Sequence, residues 1–95
     1  MAAQLHARGL DVIGATIPPW GGFDNNPQHE VMRQKVNLWL RTQRVLDGVV
    51  DFDRVLRDPA DPTRMLPALD SGDHLHPGPP GYQVMGSSID LSLFR

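Results

Sequence analysis

Ninety-five residues, no cysteine, and nine basic against eleven acidic side chains set the outer limits of what this chain can be. The length allows one small domain at most. The missing cysteines exclude a disulfide framework, a zinc ribbon and a thiol nucleophile, and a net charge of −2 leaves no basic footprint for nucleic acid or an anionic membrane.

A composition of 40% hydrophobic and 21% charged residues is that of a folding chain, not of a wholly disordered one. No apolar run approaches the ~20 residues of a membrane span. The opening MAAQLHARGL lacks the long apolar stretch of a secretory signal. Nine glycines and nine prolines are many for this length, and they are unevenly placed. No proline lies between Gln28 and Asp58, whereas six of the nine fall between Pro59 and Pro80. Compact elements are therefore expected, joined by long irregular connections.

Residues 2–8 are good helix formers and Gly9 is a suitable stop, which predicts the end of a helix. Residues 10–15 form a mostly apolar run with Val12 and Ile13, a short buried strand. Pro18-Pro19-Trp20-Gly21-Gly22 is a loop. Asn26 before Pro27 fits an N-cap with proline at the first helical position, and Glu30 suits the first turn. Met32, Val36, Trp39 and Leu40 then form one apolar stripe, with Arg33, Lys35, Arg41 and Arg44 mostly off it. A helix over 27–42 follows, with Trp39 in the core. A second strand is expected over 48–53, ending in Asp51 and Asp53, with one helical turn near 53–57. Residues 58–80 are a long loop with two Asp-Pro steps, and loops of that length are usually functional or disordered. Tyr82, Met85, Ile89 and Leu93 place a last helix over 81–93, intrinsically weak because of Gly86, Ser87 and Ser88.

Helix, strand, helix, strand, loop, helix is the order of an α/β protein with parallel strands. Two strands are too few for a covered parallel sheet. The chain is expected to be an edge portion of a larger sheet, and an open edge would recruit a second copy or a complementary fragment.

The chemistry concentrates in Ser71-Gly72-Asp73-His74-Leu75-His76-Pro77-Gly78. Asp73 and His76 are three apart. On a turn that spacing brings a carboxylate to an imidazole Nδ1, fixes the tautomer, and turns Nε2 outward as a general base. The pair becomes a hydrolase only with a nucleophile in reach. The plain alternative is a capping Asp73 and an exposed loop His76. A metal site from Asp73, His74 and His76 is a third reading, because His-x-His sets two imidazoles close together. His6 and His29 are expected on solvent-facing helix surfaces. Trp20 is open between packing and a rim contact to substrate. Asp51 and Asp53 are expected to cap or to be solvated.

Asp73-His74-Leu75-His76-Pro77, followed by Gly81-Tyr82 opening a terminal amphipathic helix, resembles the last block of the SGNH (GDSL-type) hydrolases. Arg8 to Thr16 followed by Pro18 is similar to that family's penultimate core strand and the loop after it. The segments Val36 to Leu40 and Asp47 to Asp53 are similar to its C-terminal half. The resemblance covers nearly the whole chain. It implies the C-terminal part of a three-layer α/β/α parallel-sheet (flavodoxin-like) fold, with His76 as the base that activates a serine and Asp73 as the acid that orients it. It implies no metal or organic cofactor, and a substrate among small esters, acylated carbohydrates and lipids. The family's Gly-Asp-Ser block and its oxyanion-hole glycine and asparagine blocks have no counterpart here. Ser71, Ser87 and Ser88 stand in no matching position. The expected function is the Asp-His portion of a serine ester hydrolase; the alternative is a truncated, inactive chain that acts only as an interaction or dimerising α/β fragment.

Overall fold

The sharp turn-forming sites of the sequence divide it into short elements. A computed structural model, which describes residues 1–94, sets them out as a mixed α/β chain with two separate two-stranded sheets. Helix α1 (Ala2–His6) ends before Gly9, whose φ of 74° is the left-handed stop that glycine accommodates. Strand β1 (Ile13–Ala15) and strand β2 (Gly48–Val50) pair in parallel, with Ile13 opposite Gly48, Gly14 opposite Val49 and Ala15 opposite Val50. The crossover between them is helix α2 (Pro27–Thr42), with Pro27 at its first position and Asn26 Oδ1 accepting from the Gln28 N–H at 2.9 Å. Leu40 and Leu46 close over Gly14, where a β-carbon would meet both.

Strand β2 is shorter than the sequence suggests. Asp51 turns the chain and caps helix α3 (Phe52–Leu56) by accepting from the Arg54 N–H at 3.1 Å. The span 58–80 is not one irregular loop. It contains an antiparallel hairpin of β3 (Arg57–Asp58) and β4 (Asp61–Met65), then a 3₁₀ turn at Pro67–Leu69. The two Asp-Pro steps make this hairpin: Asp58 Oδ1 accepts from the Ala60 N–H at 2.9 Å, and Pro62 sits on an edge strand, where a missing donor costs least. Helix α4 (Pro79–Ser88) starts two residues earlier than expected, because Pro79 and Pro80 fill a first turn that needs no donors. It stops at Ser88, and a separate 3₁₀ turn (Leu91–Phe94) carries Leu93 against Gly48.

The apolar core lies in the second half of the chain. Leu56, Met65 and Leu69 are buried there, with Phe52, Val55, Leu66, Val84 and Met85 packed around them. Tyr82 is exposed, so α4 packs through Gly81, Val84 and Met85. Gly81 is needed because the Leu69 carbonyl stands where a side chain would go.

Helix α2 corrects the expected stripe. Met32, Val36 and Trp39 face outward, and Trp39 is 54% exposed. The buried positions are Arg33 and Asn37, both at 0%. The reason is the set of acceptors that faces the helix. Asn37 takes both backbone groups of Ile17, accepting from its N–H at 2.7 Å and donating to its carbonyl at 2.9 Å. Arg33 directs its donors to Glu30, Asp53 and the carbonyls of Ile17 and Pro62. A small sheet covers only one side of α2, and these fixed polar partners claim that side. None of the described helices is long and apolar enough to cross a membrane.

Removing Arg33 strips buried Asp53 of its fully buried cation and leaves it only the part-exposed Arg41 and Arg57. Arg33→Met should lower the unfolding free energy by about 3–5 kcal/mol, measured by urea denaturation. Arg33→Met combined with Asp53→Leu should regain a large part of that loss, because no lone charge stays inside.

Candidate active site

The first turns and loops after β1 and β2 meet through one ionic cluster. Thr16, at the end of β1, donates to Asp51 Oδ1 at 2.9 Å and accepts from the Asp53 N–H at 2.9 Å. Arg41 forks onto Asp51 through Nε and Nη2 at 2.8 and 2.9 Å, and reaches Asp53 at 2.8 Å. Arg57 adds a third cation on Asp53. Burial alone would lower the Arg33 pKa, but hydrogen bonds to Glu30 and Asp53 outweigh it and hold the guanidinium above its ordinary range. The Arg41 fork pulls Asp51 down to about 2 against the opposing effect of burial. The sequence reading placed Asp51 and Asp53 at a cap or in solvent. Asp51 does cap α3, but Asp53 is 1% exposed and sits at the centre of the cluster.

The candidate catalytic loop leaves the core at Leu69 and returns at Gly78, whose N–H donates to the Leu69 carbonyl at 2.8 Å. A bridge between Asp70 and Pro77 and a hydrogen bond from the Ser71 N–H to the His76 carbonyl (3.1 Å) pinch its neck. Within it Asp73 Oδ2 meets His76 Nδ1 at 2.6 Å. The other oxygen, Oδ1, accepts from the N–H groups of Leu75 and His76 at 2.8 Å each and from Ser71 Oγ at 3.2 Å. The His76 imidazole and these N–H and O–H donors hold the Asp73 carboxyl well below the usual carboxylate range. The His76 side chain is 65% exposed.

A second pair stands beside the first. Asp70 Oδ2 meets His74 Nδ1 at 2.8 Å, and Asp70 Oδ1 accepts from the N–H groups of Gly72 and His74. Burial raises the Asp70 pKa, but these donors overcome it and hold the carboxyl low. His74 adopts a φ of 65°, a left-handed conformation rare for any residue but glycine. Its ring lies against Gly22, itself at φ 98°, where a β-carbon would stand 2.9 Å from His74 Cγ. Sequence reasoning passed over this pair. Its signal was available in Asp70 four residues before His74, with Gly72 between to release the chain.

His6 and His29 are exposed, as expected, yet each also holds an aspartate: His6 Nε2 meets Asp47 at 2.7 Å and His29 Nδ1 meets Asp24 at 2.6 Å. An Asp-His contact by itself therefore marks nothing in this chain. What distinguishes Asp73–His76 is the threefold support of the other carboxylate oxygen. Ser71 bonds to the acid and not to the imidazole, and Ser88 Oγ donates to the Met85 carbonyl. Among the described residues no serine hydroxyl is bonded to His76, and no three His, Asp or Glu side chains gather as a metal site. His74 does not join Asp73 and His76; it belongs to Asp70. Trp20 is half-buried in the loop after β1, and its indole Nε1 is buried without an acceptor.

No family model matches the chain, and no curated protein matches it at a significant level.

The Asp73 contact dictates which ring nitrogen of neutral His76 carries the proton. Imidazole ¹⁵N shifts should show the Nδ1–H tautomer in the parent protein. That bias should disappear in Asp73→Asn and persist in His74→Ala. For the ionic cluster the linkage is of the depressed-carboxylate kind. The stability that Asp51 contributes is complete above the ordinary carboxylate pKa of about 4. It is lost as pH falls toward about 2. Arg41→Gln should flatten the decline of melting temperature across that window.

Proposed function

We propose that this chain is the Asp-His portion of a serine ester hydrolase of the SGNH (GDSL-type) family. The enclosing architecture in this reading is a three-layer α/β/α parallel-sheet (flavodoxin-like) domain, of which the parallel β1–α2–β2 unit supplies the last part. One observation carries the reading: a 2.6 Å bond from Asp73 to His76 Nδ1, on a carboxylate that three further donors hold in place.

The chemistry follows from that arrangement. His76 Nε2 takes the proton of a serine hydroxyl contributed from outside these 95 residues. The serine oxygen bonds to the ester carbonyl carbon and the carbonyl π electrons move to its oxygen. When the tetrahedral species collapses, the bond to the alcohol oxygen breaks and the imidazolium returns its proton to that oxygen. Water then releases the acid from the acyl-serine by the same steps, with His76 again the base. Asp73 stays ionised throughout, orients the ring and stabilises the imidazolium.

The open edges of the β1–β2 pair, together with the outward Val31, Met32, Leu38 and Trp39 of α2, favour a second reading. In it the chain is a catalytically inactive α/β fragment that associates with a second copy or a complementary fragment.

Hydrolysis of p-nitrophenyl acetate by the protein encoded in the whole reading frame separates the two. His76→Ala and Asp73→Asn should each reduce kcat by roughly 10⁴-fold, while His74→Ala keeps activity within about an order of magnitude. Parent and His76→Ala rates that both equal buffer would remove the hydrolase. Dimerisation detected by light scattering would then support the interaction reading.

A further inference from the structure

The ionic knot between α2, α3 and the hairpin has a cation to spare beside it. Arg33, Arg41 and Arg57 are set on the carboxylates of Glu30, Asp51 and Asp53, so the knot itself is neutral. Arg54 follows Asp53 on α3, and its side chain is paired with no carboxylate among the described residues. Asp58, next in the chain to Arg57, is engaged in the hairpin bend, where its Oδ1 accepts from the Ala60 N–H at 2.9 Å. The charge of Arg54 is therefore left unmatched.

Arg54 and Arg57 line one open cavity of about 590 Å³, together with Gln34, Pro59 and Pro62. No aspartate or glutamate lines it. The knot fixes the head of Arg57 at this place. Arg57 Nη1 lies 3.2 Å from Asp53 Oδ2, while Arg33 bridges the other Asp53 oxygen to the carbonyl of Pro62, a residue of the cavity wall. Arg57 Nε and Nη2 have no protein acceptor among the described residues. Gln34 Nε2 makes only a long contact, 3.5 Å to Glu30. The lining residues with unspent donors thus belong to three elements, α2, α3 and β3.

An anion is the guest that such a wall selects. Guanidinium groups hold oxyanions through charge-assisted, paired N–H bonds. A carboxylate offers two oxygens in one plane, whereas donors from three elements suit a tetrahedral group. The cavity exceeds a bare phosphate, and the two prolines in its wall leave an apolar surface for an organic remainder. We propose that Arg54, Arg57 and Gln34 form a binding site for a small phosphate monoester, with its phosphate on the arginines and its organic part against Pro59 and Pro62. The site does not depend on the hydrolase reading.

The test is a titration of the ¹⁵N-labelled protein with phenyl phosphate and with inorganic phosphate, at an ionic strength held constant with sodium chloride. The Nε–H signals of Arg54 and Arg57 and the side-chain amide of Gln34 should shift saturably. Phenyl phosphate should bind about threefold or more tighter than inorganic phosphate, because its ring covers the prolines. Arg54→Gln breaks no ion pair of the fold and should weaken phenyl phosphate about tenfold or more. Gln34→Ala, on a different helix, should weaken it about threefold and keeps the test open if Arg54→Gln does not fold. Arg44→Gln removes an arginine that does not line the cavity and should bind within about twofold of the parent. Absence of saturable shifts up to about 50 mM phenyl phosphate overturns the site. So does parent affinity in the Arg54 and Gln34 variants, or an equal loss in Arg44→Gln, which would mark net charge alone. Equal affinity for the two phosphates overturns the monoester assignment.

Discussion

The buried pair of Arg33 and Asp53 is the constraint on which the other parts rest. Arg33 spends all five of its N–H donors on four pieces of chain: two on its own helix through Glu30, and one each on the loop after β1 through Ile17, helix α3 through Asp53, and the β3–β4 hairpin through Pro62. A planar, always-charged fork can do this and a lysine cannot. Because the desolvated charge must keep every partner, the rotation of α2 is set by Arg33 and not by its apolar side chains. That rotation leaves Met32 and Trp39 outside.

The same cluster positions the loop after β1 and the loop that carries Asp73 and His76. Asn37 clamps Ile17, the residue from which the Trp20 turn departs. Asp53 anchors α3, whose Leu56 and Phe52 support the core that Leu69 joins, and Leu69 is where the Asp73–His76 loop begins. The two loops then touch through Gly22 and His74. A rim assembled this way is anchored at its roots and exposed at its tips.

Local chemistry made much of this legible in the sequence. Asn26-Pro27 starts α2, Gly9 stops α1, and Asp73 three residues before His76 forms its pair, because each depends on neighbours within a turn. The main failure is one of range. Periodicity assigned Met32, Val36 and Trp39 to the core, whereas long-range partners buried Arg33 and Asn37. Those partners lie 16 to 29 residues away and leave no mark in a local window. The span 58–80 reads as one loop, whereas the Asp58-Pro59 step turns a hairpin, β3–β4, that Leu56 and Met65 hold. The Asp70–His74 pair is signalled by Asp70 four residues before His74 with Gly72 between, and only the left-handed backbone of His74 is not.

An interior centred on ions also has a thermal signature. Exposing apolar surface raises the heat capacity on unfolding and exposing polar surface lowers it, with a usual net of about 12–15 cal/mol/K per residue. Here the fully buried side chains include Arg33, Asn37, Thr16 and Asp53 beside few aliphatic ones, so the increment falls below that range. The stability curve is correspondingly broad and shallow. Heating also weakens the hydration of the separated ions, which lowers the penalty for keeping Arg33 and Asp53 inside. The fold therefore tolerates temperature better than its small apolar core suggests, and acid worse.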